Sequence, residues 1–189
     1  NGTSYDVLIR AVNGAGAGDE SSTTSVIPSG APGSPVITSV SGADGSLVVN
    51  YTAGSANGRA ITLTEYSTNG GVSWTSSTSL SSPLTITGLT NGTEYLVSLR
   101  HTNVNGTSDG SVSVLGKPRS RPLAPSITEG TSSDGSVSVT FTAPVSDGGD
   151  TITSYEYSTD NGSSWQARAF GTTETFIGIS TLSTDGTTA

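Results

Sequence analysis

Cysteine and methionine are both absent from this 189-residue chain, and histidine and lysine occur once each, as His101 and Lys117. Without thiols there is no disulfide framework, no thiolate metal site and no cysteine nucleophile. The lack of any methionine leads us to expect a segment of something longer. Charged residues are also scarce, at 12% of the chain, about half the usual share. Seven basic residues stand against 15 acidic ones, a net charge of -8. A grip on nucleic acid needs clustered Lys and Arg, and those present are scattered, so nucleic acid and anionic membrane surfaces are excluded as expected partners. No run approaches the roughly 20 apolar residues of a membrane span, and the opening NGTSYDVLIR has no charged and then apolar leader region. With so few parts for catalysis, the chain is read as a non-enzyme with no cofactor. What it has in abundance is Ser and Thr, about a third of the residues, with 25 Gly. That composition suits a turn-rich β protein.

Internal repetition organises the chain. Asn1-Gly-Thr-Ser-Tyr5 returns as Asn91-Gly-Thr-Glu-Tyr95, and Arg10, Asn13 and Asp19 return as Arg100, Asn103 and Asp109, each 90 positions on. Pro28, Pro32 and Pro35 become Pro118, Pro122 and Pro125 at the same spacing. Tyr66 to Trp74 matches Tyr157 to Trp165 at 91, and Leu84, Ile86 and Leu89 match Ile177, Ile179 and Leu182 at 93. Two residues are thus inserted between Trp165 and Ile177, where we expect a loop.

Within a repeat the apolar residues alternate with polar ones, the period of half-buried strands. The middle copy predicts strand A at Val36 to Val40, B at Leu47, Val49 and Tyr51, and C at Ile61 to Tyr66. It predicts C′ at Val72 to Trp74, E at Leu84 and Ile86, F at Tyr95, Val97 and Leu99, and G at Val112 and Val114. No segment carries a helical stripe. Seven short strands in about 90 residues make a β-sandwich.

These residues resemble the fibronectin type III domain, in particular the tandem versions of bacterial cell-surface or extracellular proteins. The likeness rests on Leu47-Val-Val-Asn-Tyr51-Thr-Ala53 and Val137-Ser-Val-Thr-Phe141-Thr-Ala143-Pro144, on Tyr66-Ser-Thr-Asn-Gly70, and on Leu89-Thr-Asn-Gly-Thr-Glu-Tyr95. It implies an all-β chain of tandem immunoglobulin-like sandwiches, with Tyr95 and Tyr5 as tyrosine-corner residues tying the E–F turn to strand F. The usual strand-B Trp of the family is Tyr51 in one copy and Phe141 in the other. In this frame residues 1–30 supply strands F and G of a first domain, 31–121 a complete domain, and 122–189 a domain lacking F and G. The last residues, Asp185-Gly-Thr-Thr-Ala189, align with Asn1 to Tyr5.

No catalytic, cofactor-binding or metal-binding residue is assigned. His101 lacks a neighbouring nucleophile or carboxylate motif and reads as a surface residue. Asp147-Gly-Gly-Asp150 and Asp109-Gly110 are weighed as Ca²⁺ ligands and read as turns. Asn1, Asn91, Asn105 and Asn161 begin glycosylation sequons, and their Asn-Gly pairs read first as tight turns. Asn57-Gly-Arg59, an adhesive-looking tripeptide, is not shared by the other copy. Lys117 lies in a Pro-rich junction, which removes it as an isopeptide donor, and the junctions read as semi-rigid extended spacers.

Expected, then, is a non-catalytic structural repeat of an extracellular or cell-surface stalk, adhesin or filament. A spacer or binding module of a secreted polysaccharide-degrading enzyme, or a phage virion-surface protein, is the alternative. The expected partners are neighbouring copies of the repeat, head to tail, with strands F and G of one unit completing the open end of another. Continuation of the same polypeptide is favoured there over a separate subunit. No divalent metal is expected to be needed for stability.

Overall fold

The computed structural model describes residues 1–168 and 176–180, and every regular element among them is a strand. Near the start β1 (Tyr5–Val7) pairs with β4 (Thr24–Val26), and between them β2 (Arg10–Asn13) forms a hairpin with β3 (Gly16–Glu20). The middle unit is a two-layered sandwich. One layer holds β5 (Val36–Ala43), β6 (Ser46–Thr52) and β9 (Leu84–Thr87), in the order β5-β6-β9. The other is built from β7 (Leu63–Ser67), β8 (Thr75–Ser76), β10 (Tyr95–Asn103), β11 (Gly106–Thr107) and β12 (Val114–Gly116), with β10 between β7 and the β11 and β12 edge. This is the A-B-E layer packed on the G-F-C-C′ layer, the fibronectin type III-like arrangement of a β-sandwich.

Alternation along β6 and β10 places the core. Leu47, Val49 and Tyr51 from one layer meet Val97 and Leu99 from the other, with Leu84 and Ile86 beside them, and all are buried. At the corner the Thr90 N–H donates to the Tyr95 hydroxyl at 3.0 Å, which is the role the resemblance implied. Two strands lie elsewhere than the sequence predicts. The C′ strand is Thr75–Ser76 rather than Val72 to Trp74, because residues 69–73 are folded into a turn in which Asn69 Oδ1 accepts from the Ser73 N–H at 3.0 Å. Strand G begins at Val114, leaving Val112 86% exposed.

The third unit repeats the same ladders. Its β13 (Ser126–Ser133), β14 (Ser136–Thr142) and β17 (Phe176–Ser180) make one sheet, and β15 (Glu156–Tyr157) pairs with β16 (Gln166–Ala167). Val137↔Ile179 and Val139↔Ile177 reproduce Leu47↔Ile86 and Val49↔Leu84. Leu182 and residues 185–189, which the repeat aligns with Leu89 and with residues 1–5, lie outside the described residues.

The Pro-rich junctions are not bare extended spacers, because the same three backbone hydrogen bonds close each. Gly2 donates to Pro28 O and Gly92 to Pro118 O, both at 2.9 Å. Gly30 donates to Asn57 O at 3.0 Å, as Ser120 does to Gly148 O at 2.8 Å. Gly33 donates to Ser55 O at 2.8 Å, as Leu123 does to Ser146 O at 3.0 Å. The B–C loop of each unit therefore presses on the E–F turn before it. Gly58, at φ +85°, illustrates the tightness, since a Cβ there would stand 2.7 Å from Pro28 O. Asn91 fastens the second junction from within, its amide donating to Asp44 Oδ1 at 2.7 Å and to Ser120 Oγ at 3.3 Å.

Candidate functional site

The inner face of the third unit is where structure and chemistry are unbalanced. Val139, Phe141 and Ile177 from one sheet and Tyr155, Tyr157 and Trp165 from the other line a cleft of about 290 Å³. Phe141 and Tyr155 meet edge to face, with ring centroids 4.8 Å apart, and the Arg168 guanidinium lies 5.7 Å from the Phe141 ring. Trp165 is 61% exposed. Among the described residues no strand pairs with β15 on the side away from β16, and a strand edge without a neighbour is a template for pairing. Each large apolar side chain left wet forgoes about 1.5–3 kcal/mol of burial.

The middle unit shows how such a face is closed. There β10 pairs with β7 in the register Leu99↔Tyr66, Arg100↔Glu65 and His101↔Thr64. Arg100 Nε donates to Glu65 Oε2 at 2.7 Å, and the Arg100 guanidinium lies 4.5 Å from the Trp74 ring centroid. Salt bridge and cation–π contact together hold the long side chain flat across the sheet.

His101 departs from the surface reading, for it is fully buried. The parity of β10 explains this: Val97, Leu99, His101 and Asn103 share the inward face, and the alternation carried that signal. Its Nδ1 stands 3.1 Å from Thr64 Oγ1, its ring centroid is 5.8 Å from that of Tyr51, and among the described residues Nε2 has no hydrogen-bond partner. Burial lowers its pKa below the ordinary 6.5. Asn103, also buried, donates its amide to Gly30 O at 2.9 Å and to Ala56 O at 3.2 Å, pinning the B–C loop and the linker to strand F.

The remaining candidates are held in turns and junctions. Asp147 Oδ1 accepts from the Gly149 N–H at 2.8 Å, and Asp150 forms an exposed ion pair with Arg119 at 3.0 Å, worth about 0–1 kcal/mol. Asp109 is exposed on the F–G loop. No cluster of three or more potential ligand side chains occurs among the described residues. Asn57, at φ 49°, donates its amide to Ala31 O at 2.7 Å, which commits it to the first junction, while Arg59 is exposed. Asn91 is likewise engaged at the second. Asn1 and Asn105 are exposed, and Asn161 is exposed at φ 58° in the C–C′ turn. Lys117 is exposed where strand G leaves the sandwich.

Residues 1–28 are exposed throughout, yet their strands keep the registers of the middle unit. Tyr5↔Val26 and Val7↔Thr24 correspond to Tyr95↔Gly116 and Val97↔Val114 at an offset of 90. Ser21 donates its N–H to Ile9 O at 2.9 Å, and its Oγ accepts from the Ile9 N–H at 3.1 Å, as Ser111 and Leu99 do at 2.8 and 3.0 Å. Apolar Tyr5, Val7 and Ile9 stand 56%, 46% and 74% exposed.

No family model matches the sequence, and no curated protein matches it either. Among solved structures, one described as "Myokine structure" is 21% identical, with a TM-score of 0.38 over 47% of this chain and 99% of that one. The FN1-FN3 domains of chicken CNTN1 are 17% identical, with a TM-score of 0.42 over 95% of this chain and 66% of theirs. The fold class stands on the strand order and registers above: a fibronectin type III-like β-sandwich, a class used for structural and binding modules. No helix among the described residues is long and apolar enough to cross a membrane.

Proposed function

We propose that this chain is a non-catalytic structural repeat of an extracellular stalk, adhesin or filament of a bacterial cell surface, holding successive sandwiches at fixed spacing and associating head to tail with its own kind. The observation that carries the reading is the repeated junction. Three backbone hydrogen bonds recur at both linkers with lengths matched to within about 0.2 Å, and a buried Asn103 clamps the first of them. Such a joint transmits orientation, whereas a flexible tether does not. The acidic, hydroxyl-rich and cysteine-free surface suits a chain kept soluble outside the cell whatever the redox conditions.

The test uses the absence of native cysteine. Spin labels at Val72→Cys and Val145→Cys, both highly exposed and on successive units, are expected to give one narrow distance distribution. A broad distribution characteristic of a free linker contradicts the reading.

A further inference from the structure

Building on the structural-module reading, we propose that the open face of the third unit binds residues 5–26 of a second copy of this chain, which enter as its strands F and G. The register follows from the middle unit. Donor residues shift by 90 positions and acceptor residues by 91, so Leu99↔Tyr66, Arg100↔Glu65 and His101↔Thr64 become Ile9↔Tyr157, Arg10↔Glu156 and Ala11↔Tyr155.

Charge is matched across this junction. Arg10 meets Glu156 beside Trp165, the same three side-chain types that Arg100, Glu65 and Trp74 bring together in the middle unit. Arg10 is exposed in the hairpin, and Glu156 and Trp165 are exposed on the acceptor.

Volume is matched as well, and here the two sets of residues differ in a compensating way. In the middle unit the small Thr64 leaves room for the His101 ring beside Tyr51. In the third unit the large Tyr155 fills that room, stacked edge to face on Phe141. The hairpin carries Ala11 where the middle unit has His101. A histidine there would collide with Tyr155, and an alanine does not. The donor is thus fitted to this acceptor rather than merely being another F–G pair.

Asn13 adds a third match. It stands at the position of Asn103, whose amide binds the linker carbonyl of Gly30, and the corresponding linker carbonyl in the third unit is that of Ser120. Because donor and acceptor are different surfaces, the contact is heterologous and propagates from copy to copy.

Sedimentation of the 189-residue chain from dilute to concentrated solution tests this directly, with oligomers growing in single-copy steps as the expected result. Ala11→His should weaken assembly about tenfold to a hundredfold, and adding Tyr155→Thr should restore it by recreating the middle unit's pair. Arg10→Glu should weaken assembly, and Glu156→Arg in the same chain should recover it. Melting of the middle unit, followed in parallel, should be unchanged by the Ala11 and Arg10 variants, since both positions are exposed. A chain that stays monomeric at every concentration overturns the proposal and points to another occupant of the face. Assembly indifferent to all four substitutions overturns it too. The Val72–Val145 distance, measured in dilute solution, reports on the fixed spacing of the units within one chain, so that spacing and the assembly can fail separately.

Discussion

The middle and third units are built from corresponding strands in corresponding registers, yet their faces differ sharply. Leu47, Val49, Leu84 and Ile86 are sealed under β10, while in the third unit Phe141 and Ile177 are buried but Val137, Val139 and Ile179 remain half-exposed. The ladders β13-β14-β17 and β15-β16 form with no F or G strand beside them among the described residues, because hydrogen bonding and turn chemistry are local to each sheet. Burial is not local: it requires the facing strands. The comparison separates what the repeat encodes by itself from what it obtains only from a neighbour.

The largest effect that sharpens this comparison concerns a matched pair of positions. Leu99→Ala is expected to destabilise the middle unit by about 2–5 kcal/mol in chemical denaturation. Ile9→Ala, its counterpart in the exposed hairpin, should change the stability of the dilute chain by no more than about 0.5 kcal/mol. Equal costs would mean that the hairpin is already packed as β10 is.

Next comes sensitivity to mild acid in the histidine range, which belongs to the middle unit alone because only it contains a histidine. The His101 pKa is lowered in the folded state by burial, so the unfolded chain binds the proton more readily. Stability is therefore complete above the ordinary histidine value of about 6.5 and declines as pH falls below it. Melting of the middle unit as a function of pH checks this, and His101→Phe should flatten the profile between pH 7 and the onset of carboxylate protonation.

At the tyrosine corner, Tyr95→Phe removes the acceptor for the Thr90 N–H and should cost about 1 kcal/mol. The smallest effect lies in the two C–C′ turns, where Asn69 and Asp160 do the same work. Ser164 donates to Asp160 from both side chain and backbone, and Ser158 adds a third bond, lowering the carboxyl pKa from 3.8 to about 2. This contribution is present above the unfolded value and is lost as pH falls through about 2. Asp160→Asn, which copies the middle unit, should leave the turn formed and abolish that acid step in the chemical shifts of Ser158 and Ser164.

Much of this was legible in the chain. The spacing of Leu47, Val49 and Tyr51 against Leu84 and Ile86 marked the core, and the 90-residue offset aligned strands that share a register. The interior position of His101 was legible too, through its parity with Val97 and Leu99, but a polar side chain on an inward position reads as surface unless the strand is known to run on to Asn103. The start of C′ was misplaced because Val72 and Trp74 alternate like a strand, while the Ser67, Asn69 and Ser73 hydrogen bonds hold a turn there. The packed junctions left a fainter trace. Glycines at 58, 92 and 149 looked like ordinary turn residues, and only the three-dimensional approach of one loop to the preceding turn shows how little room a side chain would have there. The match of Ala11 to Tyr155 is invisible along the sequence, since it joins residues that sit together only once the register of the middle unit is known.

Closure of the β15 edge and the apolar face beside it by a second copy should be visible in backbone protection. Amide hydrogen exchange across residues 154–158, measured at rising protein concentration, addresses it most directly. Fast exchange is expected in dilute solution, with protection that grows with concentration at the amides facing the incoming strand, in step with protection of residues 8–12. Exchange at those amides that stays fast at every concentration, while the amides of β7 and β10 remain protected, would contradict it.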